Sequence, residues 1–148
     1  MRVRRRPHCD FDPEDLHTRL RFEVAGSLEA ISPTVDQVMD EVRSMDCSKG
    51  KEFEVETALR EALANAIRHG CRNDPTKRVE VCVACDESKG MLIVVRDPGP
   101  GFDPGAIPSP TLGHNLYRHH GRGIYLINQL MDEVSFDRNG TEIRMIKR

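Results

Sequence analysis

The sequence predicts an α+β fold, a two-layer sandwich in which a mixed, mostly antiparallel sheet is covered on one face by three helices. Two strand pairs joined by short turns predict the sheet: Arg78–Cys85 with Met91–Val95, and Val134–Phe136 with Thr141–Ile146. Three segments with apolar residues at three- and four-residue spacing predict the helices. Since each helix would have one apolar stripe, packing all three on one face of the sheet is the economical arrangement.

The composition is that of a water-soluble globular domain. The chain has 148 residues, of which 38% are hydrophobic and 31% charged, which is enough for one domain with a sizeable core. It has no Trp, five Phe and two Tyr, so an aromatic surface for stacking bases is not expected. A net charge of −2 gives no general attraction to nucleic acid or membrane, and no apolar run could span a bilayer. We expect a cytoplasmic protein without direct nucleic-acid or membrane contact.

The N-terminal 17 residues are predicted to form an irregular arm, and residues 18–148 a single domain. The arm begins MRVRRRPH, and no apolar segment follows its four arginines, so it does not have the pattern of a secretory signal. Such a charge run is typical of a solvated arm, or of a weak contact with an acidic partner.

Five cysteines in a chain without a secretory signal are expected to be reduced thiols. Cys82 and Cys85 form a CxxC pair, a spacing found in metal and redox sites. They lie in a segment that alternates as a strand, where residues three apart point to opposite faces. A metal or redox role is therefore not expected.

The first strand and helix follow the arm. Arg19–Val24 alternates polar and apolar residues, as a half-buried strand does. Ser32 is predicted to be the N-cap of the first helix, with Pro33 at its first position. Its apolar stripe is Val35, Val38, Met39, Val42 and Met45, and Ser48–Gly50 ends it.

The central helix is predicted over Glu54–Gly70. Its apolar stripe is Val55, Leu59, Ala62, Leu63, Ala66 and Ile67. Beside the stripe, Glu61, Asn65 and Arg68 recur at i, i+4 and i+7, which places them on one side of the helix. Such a row is either a solvated face or a site. Gly70 is predicted to end the helix in the left-handed conformation, with His69 serving its C-terminus.

A glycine- and proline-rich segment between Asp97 and Gly123 has five prolines and six glycines. Long segments of this kind inside a domain are usually functional lids or disordered, and we predict a lid at about residues 98–122. The third helix is predicted over Ile124–Leu130, and Asn139-Gly140 is a strong hairpin signal between the last two strands.

Three features along this part of the chain could contact a ligand. Asp97 ends an apolar strand, and a half-sheltered carboxylate there could accept a hydrogen bond from an amine. Gly99 and Gly101 would let the backbone approach a flat ligand. The segment Gly121-Arg122-Gly123 before a helix would supply free amides for phosphate, although it matches neither a Walker loop nor a Rossmann turn. Thr141 places a hydroxyl at the start of the last strand. Each of these features alone is also compatible with ordinary turn chemistry.

In their order along the chain, these motifs closely resemble the GHKL (Bergerat-fold) ATP-binding superfamily. The matching segments are LREALANAIRHG, RDPGPGF, GRGIYLINQLMDEVSF and the final Gly140-Thr141, which correspond to the N box, two glycine boxes and the closing GT. The segments NAIRHG and GRGIYLINQLMDEV are most similar to the corresponding segments of bacterial anti-sigma-factor serine/threonine kinases. The resemblance covers roughly residues 20 to 146.

The resemblance implies a role for each motif. Asn65 would coordinate a Mg²⁺ ion that bridges the ATP phosphates, and Glu61 would act as general base. Asp97 would accept a hydrogen bond from the adenine amino group, and Thr141 would help to read adenine. Residues around the base and the phosphates would complete the cofactor site, namely Gly99, Gly101, Phe102, Gly121, Arg122, Gly123 and Ile124. Arg68 could contact phosphate or instead pair with a surface carboxylate.

The function implied is that of a protein serine/threonine kinase that binds a sigma factor and phosphorylates an anti-sigma antagonist protein. Two alternatives stay open at this point: an ATP-dependent binding module without phosphate transfer, and a detached histidine-kinase catalytic domain. The second is weakened because only about 18 residues precede the first predicted strand, too few for a helical phosphoacceptor domain. The family also suggests a homodimer through the first strand and first helix, which nothing in the sequence fixes.

Overall fold

The computed structural model describes residues 3–4, 18–45, 49–86, 90–100 and 121–148. The elements, in chain order, are β1 (Val3–Arg4), β2 (Thr18–Ala25), α1 (Ile31–Met45), α2 (Glu52–Asn65), β3 (Arg78–Asp86), β4 (Gly90–Arg96), α3 (Gly121–Leu130), β5 (Glu133–Asp137) and β6 (Glu142–Lys147). Most of the predicted arm and lid lie outside these residues. No helix within the described ranges is long and apolar enough to cross a membrane.

Within the described residues the sheet has six strands in the order β1-β2-β3-β4-β6-β5, and all neighbouring strands are antiparallel. The predicted α+β fold class, with three helices on a largely antiparallel sheet, is confirmed. Both predicted hairpins, β3–β4 and β5–β6, are present. The central strand β4 is buried along most of its length, as its continuous apolar run predicts.

The core lies between the sheet and the helices. Because side chains alternate along a strand, every second residue of β2, β3, β4 and β6 faces the helices. The buried strand residues on that face are Leu20, Phe22, Val24, Val79, Val81, Val83, Met91, Ile93, Val95, Ile143 and Met145. The helices contribute Val35, Val38, Met39 and Val42 from α1, Val55, Leu59 and Leu63 from α2, and Ile127 from α3. The apolar stripe predicted for α2 is buried, and so are Val35, Val38, Met39 and Val42 of the stripe predicted for α1; the Met45 side chain lies outside the described residues.

Helix α1 begins two residues earlier than predicted, at Ile31 and not at Pro33. A 3₁₀ turn, Leu28–Ala30, leads directly into Ile31, so Ser32 is inside the helix and is not its N-cap. Pro33 is tolerated there because the first N–H groups of a helix have no intrahelical partner. The Ser32 hydroxyl instead accepts a hydrogen bond from Arg60 of α2 at 3.2 Å.

The central helix changes geometry at its end. After Asn65 the chain continues as a π turn over Ala66–Gly70, closed by the Cys71 amide, which donates to the Ala66 carbonyl at 2.9 Å. The prediction that Gly70 ends the helix in the left-handed conformation is wrong, because Arg72 and Asn73 have the positive φ angles, 53° and 58°. The reason for a glycine at position 70 is a close contact described below.

The sheet face opposite the helices has an apolar half and a charged half. Ala84, Leu92 and Val94 form a second buried cluster there. The charged half is a row of ion pairs across the strands, made by Arg21, Glu23, Glu80, Arg96, Glu142 and Arg144. Within this row Glu142 is fully buried, with 1% of its side chain exposed. A buried carboxylate is stable only when it is paired, and this one lies among several guanidinium groups.

The turn between β5 and β6 is longer than a two-residue hairpin turn. Arg138, Asn139 and Gly140 have φ angles of 52°, 57° and 83°, so three consecutive residues are left-handed. The turn is closed by Asp137, whose carboxylate accepts from the Arg138 amide at 2.9 Å. The predicted Asn139-Gly140 hairpin is confirmed, with this left-handed geometry.

The cysteines differ from one another in environment. Cys82 pairs with Val94 and Cys85 pairs with Met91, which belong to the two opposite faces of the sheet. The CxxC pair therefore points to opposite sides, as alternation predicts. Both residues take part in disulfides, so the expectation of reduced thiols is wrong for these two. Cys71 is a free, buried thiol.

Candidate functional site

A pocket lies where the C-terminal end of α2 meets the ends of β4 and β6 and the start of α3. Its empty volume is about 530 Å³, a figure that includes space continuous with solvent. The residues that line it are Ala62, Asn65, Ala66, His69, Gly70, Val95, Asp97, Ile124, Phe136, Gly140, Thr141 and Ile143. Apolar walls with a few polar groups suit a flat heterocycle with a polar edge.

Asp97 provides a carboxylate at one wall of this pocket. It follows β4, and the Gly99 amide donates to its Oδ1 at 2.8 Å. A Cβ placed on Gly70 would overlap the Asp97 carboxyl group, and one on Gly99 would lie 2.6 Å from the Gly70 Cα. Glycine at both positions therefore lets the π turn and the Asp97 strand end pack in direct contact.

Partial burial changes the acidity of this site. Desolvation raises the pKa of Asp97, and the hydrogen bond from the Gly99 amide opposes that rise. The neighbouring Cys71 thiol also has a raised pKa, first because of burial and second because of the Asp97 charge. A carboxylate in a partly desolvated site makes stronger and more selective hydrogen bonds than one in water.

Thr141 lies beside Asp97 at the end of the adjacent strand. The Asp97 amide donates to the Thr141 carbonyl at 2.9 Å, which joins the two strand ends. The Thr141 hydroxyl donates to the Arg138 carbonyl at 2.7 Å. Because a hydroxyl oxygen also accepts, Thr141 keeps acceptor capacity toward the pocket.

Glu61 and Asn65 lie at the other end of the site, against the first turn of α3. A Cβ on Gly123 would lie 2.9 Å from Asn65 Nδ2 and 3.1 Å from Glu61 Oε2. The structure thus brings Glu61 and Asn65 of α2 together with Gly123, which lies 58 positions beyond Asn65 in the sequence. Helix α3 begins at Gly121, so Gly121 to Gly123 form its first turn, whereas the sequence predicts a start at Ile124. Amides in a first helical turn have no intrahelical partner and suit anions.

The remaining predicted site residues are placed differently. Ile124 and Gly123 are buried, and Ile124 lines the pocket. Arg68 is exposed and is not among the lining residues, because it follows Asn65 within the π turn, whose wider spacing departs from the α-helical row. Gly101, Phe102 and the Arg122 side chain lie outside the described residues.

The sequence analysis missed several residues of this site. His69, predicted to serve the helix C-terminus, lines the pocket, as do Phe136 and Ile143 from β5 and β6. The two strand residues are cross-strand partners. Strand alternation could have indicated that they share a face, but only the topology shows that this face meets the end of α2.

The residues present fit a magnesium nucleotide. Among the described residues no group of three or more His, Cys, Asp or Glu could hold a metal ion. Mg²⁺ does not need such a group when it is bound with phosphates, since one or two protein oxygen ligands are usual. The Asn65 amide oxygen beside a helical turn of free amides is a donor set of that kind, and the apolar walls near Asp97 and Thr141 suit a purine.

Comparison with known proteins gives a consistent family. Residues 24–147 match the Histidine kinase-like ATPase domain. The anti-sigma F factor of Oceanobacillus iheyensis is 31% identical over 134 residues, which cover 86% of this chain and 80% of that protein. The anti-sigma F factor of Anoxybacillus flavithermus is 29% identical over 133 residues, with the same shares covered. The serine-protein kinase RsbW of Staphylococcus epidermidis is 33% identical over 98 residues, 61% of each chain.

The matched residues 24–147 include every residue that lines the pocket at the end of α2. The chain belongs to the histidine kinase-like (GHKL) ATPase family and, within it, to the family of the anti-sigma-factor kinases.

Proposed function

We propose that this protein is an ATP-dependent serine/threonine kinase that binds a sigma factor and phosphorylates an anti-sigma antagonist protein. The observation that carries the proposal is the close approach of the α3 turn to Glu61 and Asn65, so close that Gly123 has no room for a Cβ. It joins a carboxylate, an amide and a turn of free helix amides, the groups that phosphoryl transfer needs for positioning and charge.

The base-binding end of the pocket selects adenine in this proposal. The Asp97 carboxylate accepts a hydrogen bond from the adenine amino group, and Thr141 contacts the same edge of the base. The ring lies against the apolar walls, which include Ile124, Phe136 and Ile143. The raised pKa of Asp97 reflects the partial desolvation that makes this hydrogen bond selective.

The phosphate end uses α2 and α3. Asn65 supplies an oxygen ligand for Mg²⁺, which when bound would neutralise phosphate charge, and the amides of Gly121–Gly123 hold phosphate oxygens. Gly101, Phe102 and Arg122 are assigned to the nucleotide site from the family resemblance. Arg68 is exposed, so in this proposal it reaches phosphate only by reorienting toward the site.

The transfer step assigns Glu61 as general base. Its carboxylate accepts the proton of a partner Ser or Thr hydroxyl while the hydroxyl oxygen bonds to the γ-phosphorus. The bond between that phosphorus and the β–γ bridging oxygen breaks, and ADP leaves with the electron pair. Glu61 then releases its proton to solvent. Glu61 Oε2 lies 3.1 Å from the position that a Cβ on Gly123 would take, and the side chain is only half-buried, which leaves it open to a partner hydroxyl.

The names of the relatives support the proposed binding of a sigma factor and the proposed kinase activity. One of the relatives compared above is named an anti-sigma F factor, and another is named a serine-protein kinase. The test is transfer of labelled γ-phosphate from ATP to an antagonist-type protein from the same genome, with co-purification of a sigma factor. Labelled antagonist supports the proposal. Nucleotide-dependent partner binding without transfer to any antagonist would contradict the kinase assignment and favour a regulatory binding module.

A further inference from the structure

The buried carboxylate of Glu142 lies directly behind the base-binding end of the pocket. Glu142 and Arg96 are cross-strand partners on the face opposite the helices. The next residues outward, Asp97 and Thr141, line the pocket. We infer that Glu142, acting through Arg96, is a positioning residue that fixes Asp97 and Thr141 for recognition of the base. This inference rests on the proposed nucleotide site.

The ion pairs of Glu142 connect three parts of the chain. Arg96 Nε donates to Glu142 Oε1 at 2.7 Å, and a second guanidinium nitrogen of Arg96 also contacts that oxygen. Arg144 Nε donates to Oε2 at 3.0 Å, and Arg138 Nε lies 3.8 Å from Oε1. Because only 1% of the Glu142 side chain is exposed, water has little access to its carboxylate oxygens and competes little for these contacts.

The Arg96 contact is the one that crosses between the strands of the site. Arg96 is on β4, immediately before Asp97, and Glu142 is on β6, immediately after Thr141. Arg96 also lies 3.5 Å from Glu80 of β3. Arg144, by contrast, is on the same strand as Glu142. Losing Arg96 therefore removes the buried side-chain pair between the two strand ends and leaves only their backbone hydrogen bonds, whereas losing Arg144 leaves the cross-strand pair intact.

Through Arg138, whose side chain is 60% exposed, Glu142 also approaches the strained turn before Thr141. Arg138 and Asn139 are non-glycine residues in the left-handed conformation, and such residues persist only where the surroundings hold them. The turn leads to Gly140 and Thr141, which line the pocket. Glu142 thus contacts both sides of the base-binding end, and its stronger contact is the one with Arg96 on the Asp97 side.

A hydrogen bond to a base depends on such restraint because its strength falls steeply with distance and angle. A loosened Asp97 would still be present, but it would distinguish bases poorly. ITP is the suitable probe, since hypoxanthine has a carbonyl oxygen where adenine has the amino group. An acceptor facing the Asp97 carboxylate is repelled, so the wild-type protein is expected to prefer ATP by about tenfold or more.

The test compares Mg-ATP and Mg-ITP affinities by calorimetry for the wild type, Arg96→Gln, Glu142→Gln and Arg144→Gln. Inorganic tripolyphosphate with Mg²⁺ reports the phosphate end alone. Arg96→Gln is expected to fold, since Glu142 keeps Arg144 and Arg138 as partners. It should reduce the ATP preference by about fivefold or more, from the lost positioning, while tripolyphosphate affinity changes little. Arg144→Gln should keep the preference within about twofold.

The outcomes separate the inference from the proposed function. A wild type that does not distinguish ATP from ITP would overturn the proposed base site and the inference with it. A selective wild type with an equally selective Arg96→Gln variant would overturn the inference alone. Equal losses of ATP, ITP and tripolyphosphate affinity in Arg96→Gln would mean a general structural role and would also overturn it. Glu142→Gln, if it folds, is expected to lose selectivity at least as much as Arg96→Gln.

Discussion

Gly70 lies so close to Asp97 that a single methyl group on its Cα would overlap the Asp97 carboxyl group. The π turn that ends the central helix brings the two residues together. The proposed base-recognition residue is therefore held in place by the backbone of the same helix that supplies Glu61 and Asn65.

The first prediction concerns this contact. Gly70→Ala should displace Asp97 and lower ATP affinity by about tenfold or more, because the base contact is lost. Overpacking should also cost roughly 1–3 kcal/mol of unfolding free energy. Calorimetry and thermal unfolding measure the two effects.

Gly50→Ala is the matched control. Gly50 has a φ of 80° and no neighbour within 4 Å of its Cβ position. Alanine there should cost about 1 kcal/mol of stability through backbone strain but leave ATP affinity unchanged. If Gly70→Ala bound ATP as well as the Gly50 variant does, the contact would have no role in binding.

The second prediction concerns Asp97 and pH. Its folded-state pKa is raised above the ordinary 3.8, so the folded chain holds this proton more tightly than the unfolded chain. Stability therefore falls as pH rises from that ordinary value through the raised one, and the penalty is complete above it. Asp97→Asn should raise the Tm of the nucleotide-free protein by a few degrees at neutral pH while weakening ATP binding.

The difference in Tm between Asp97→Asn and the wild type should shrink toward about pH 3, where the carboxyl group is protonated in both states. Thermal unfolding across pH measures it. The desolvation account of this site would be wrong if Asp97→Asn were less stable than the wild type at neutral pH.

The third prediction separates nucleotide binding from transfer. Glu61→Gln keeps the size and polarity of the side chain but cannot accept the hydroxyl proton. It should bind Mg-ATP within about threefold of the wild type and lose about 10²–10⁴-fold in phosphate transfer to the antagonist. Single-turnover transfer from labelled ATP gives the rate, and near-normal transfer by this variant would remove Glu61 from the general-base role.

Much of the fold could be predicted because local periodicity and the three-dimensional packing agree. The apolar stripe of α2 and the alternation in β3 correspond to the buried residues of the core. The Asn139-Gly140 signal also identified the correct hairpin. In these elements the residue spacing itself decides which side is buried.

The details that the sequence did not reveal depend on contacts between distant segments. The π turn places Gly70 against Asp97 and Gly99, a contact between distant segments that local propensity does not indicate. The buried position of Glu142 depends on arginines from two other segments, Arg96 and Arg138, as well as on its own strand. Phe136 lines the pocket because β5 lies beside β6 in the sheet, and this strand order is not evident from the sequence.

The most direct test of the account is calorimetric titration of Mg-ATP into the wild-type protein and Asn65→Ala. Asn65 is assigned as the protein ligand of Mg²⁺ and lies beside Gly123 in the first turn of α3. The account predicts Mg²⁺-dependent ATP binding by the wild type and its loss, by about 100-fold or more, in a variant that unfolds at a similar temperature. Unchanged Mg-ATP affinity in a folded Asn65→Ala protein would contradict the assignment of this pocket as the nucleotide site.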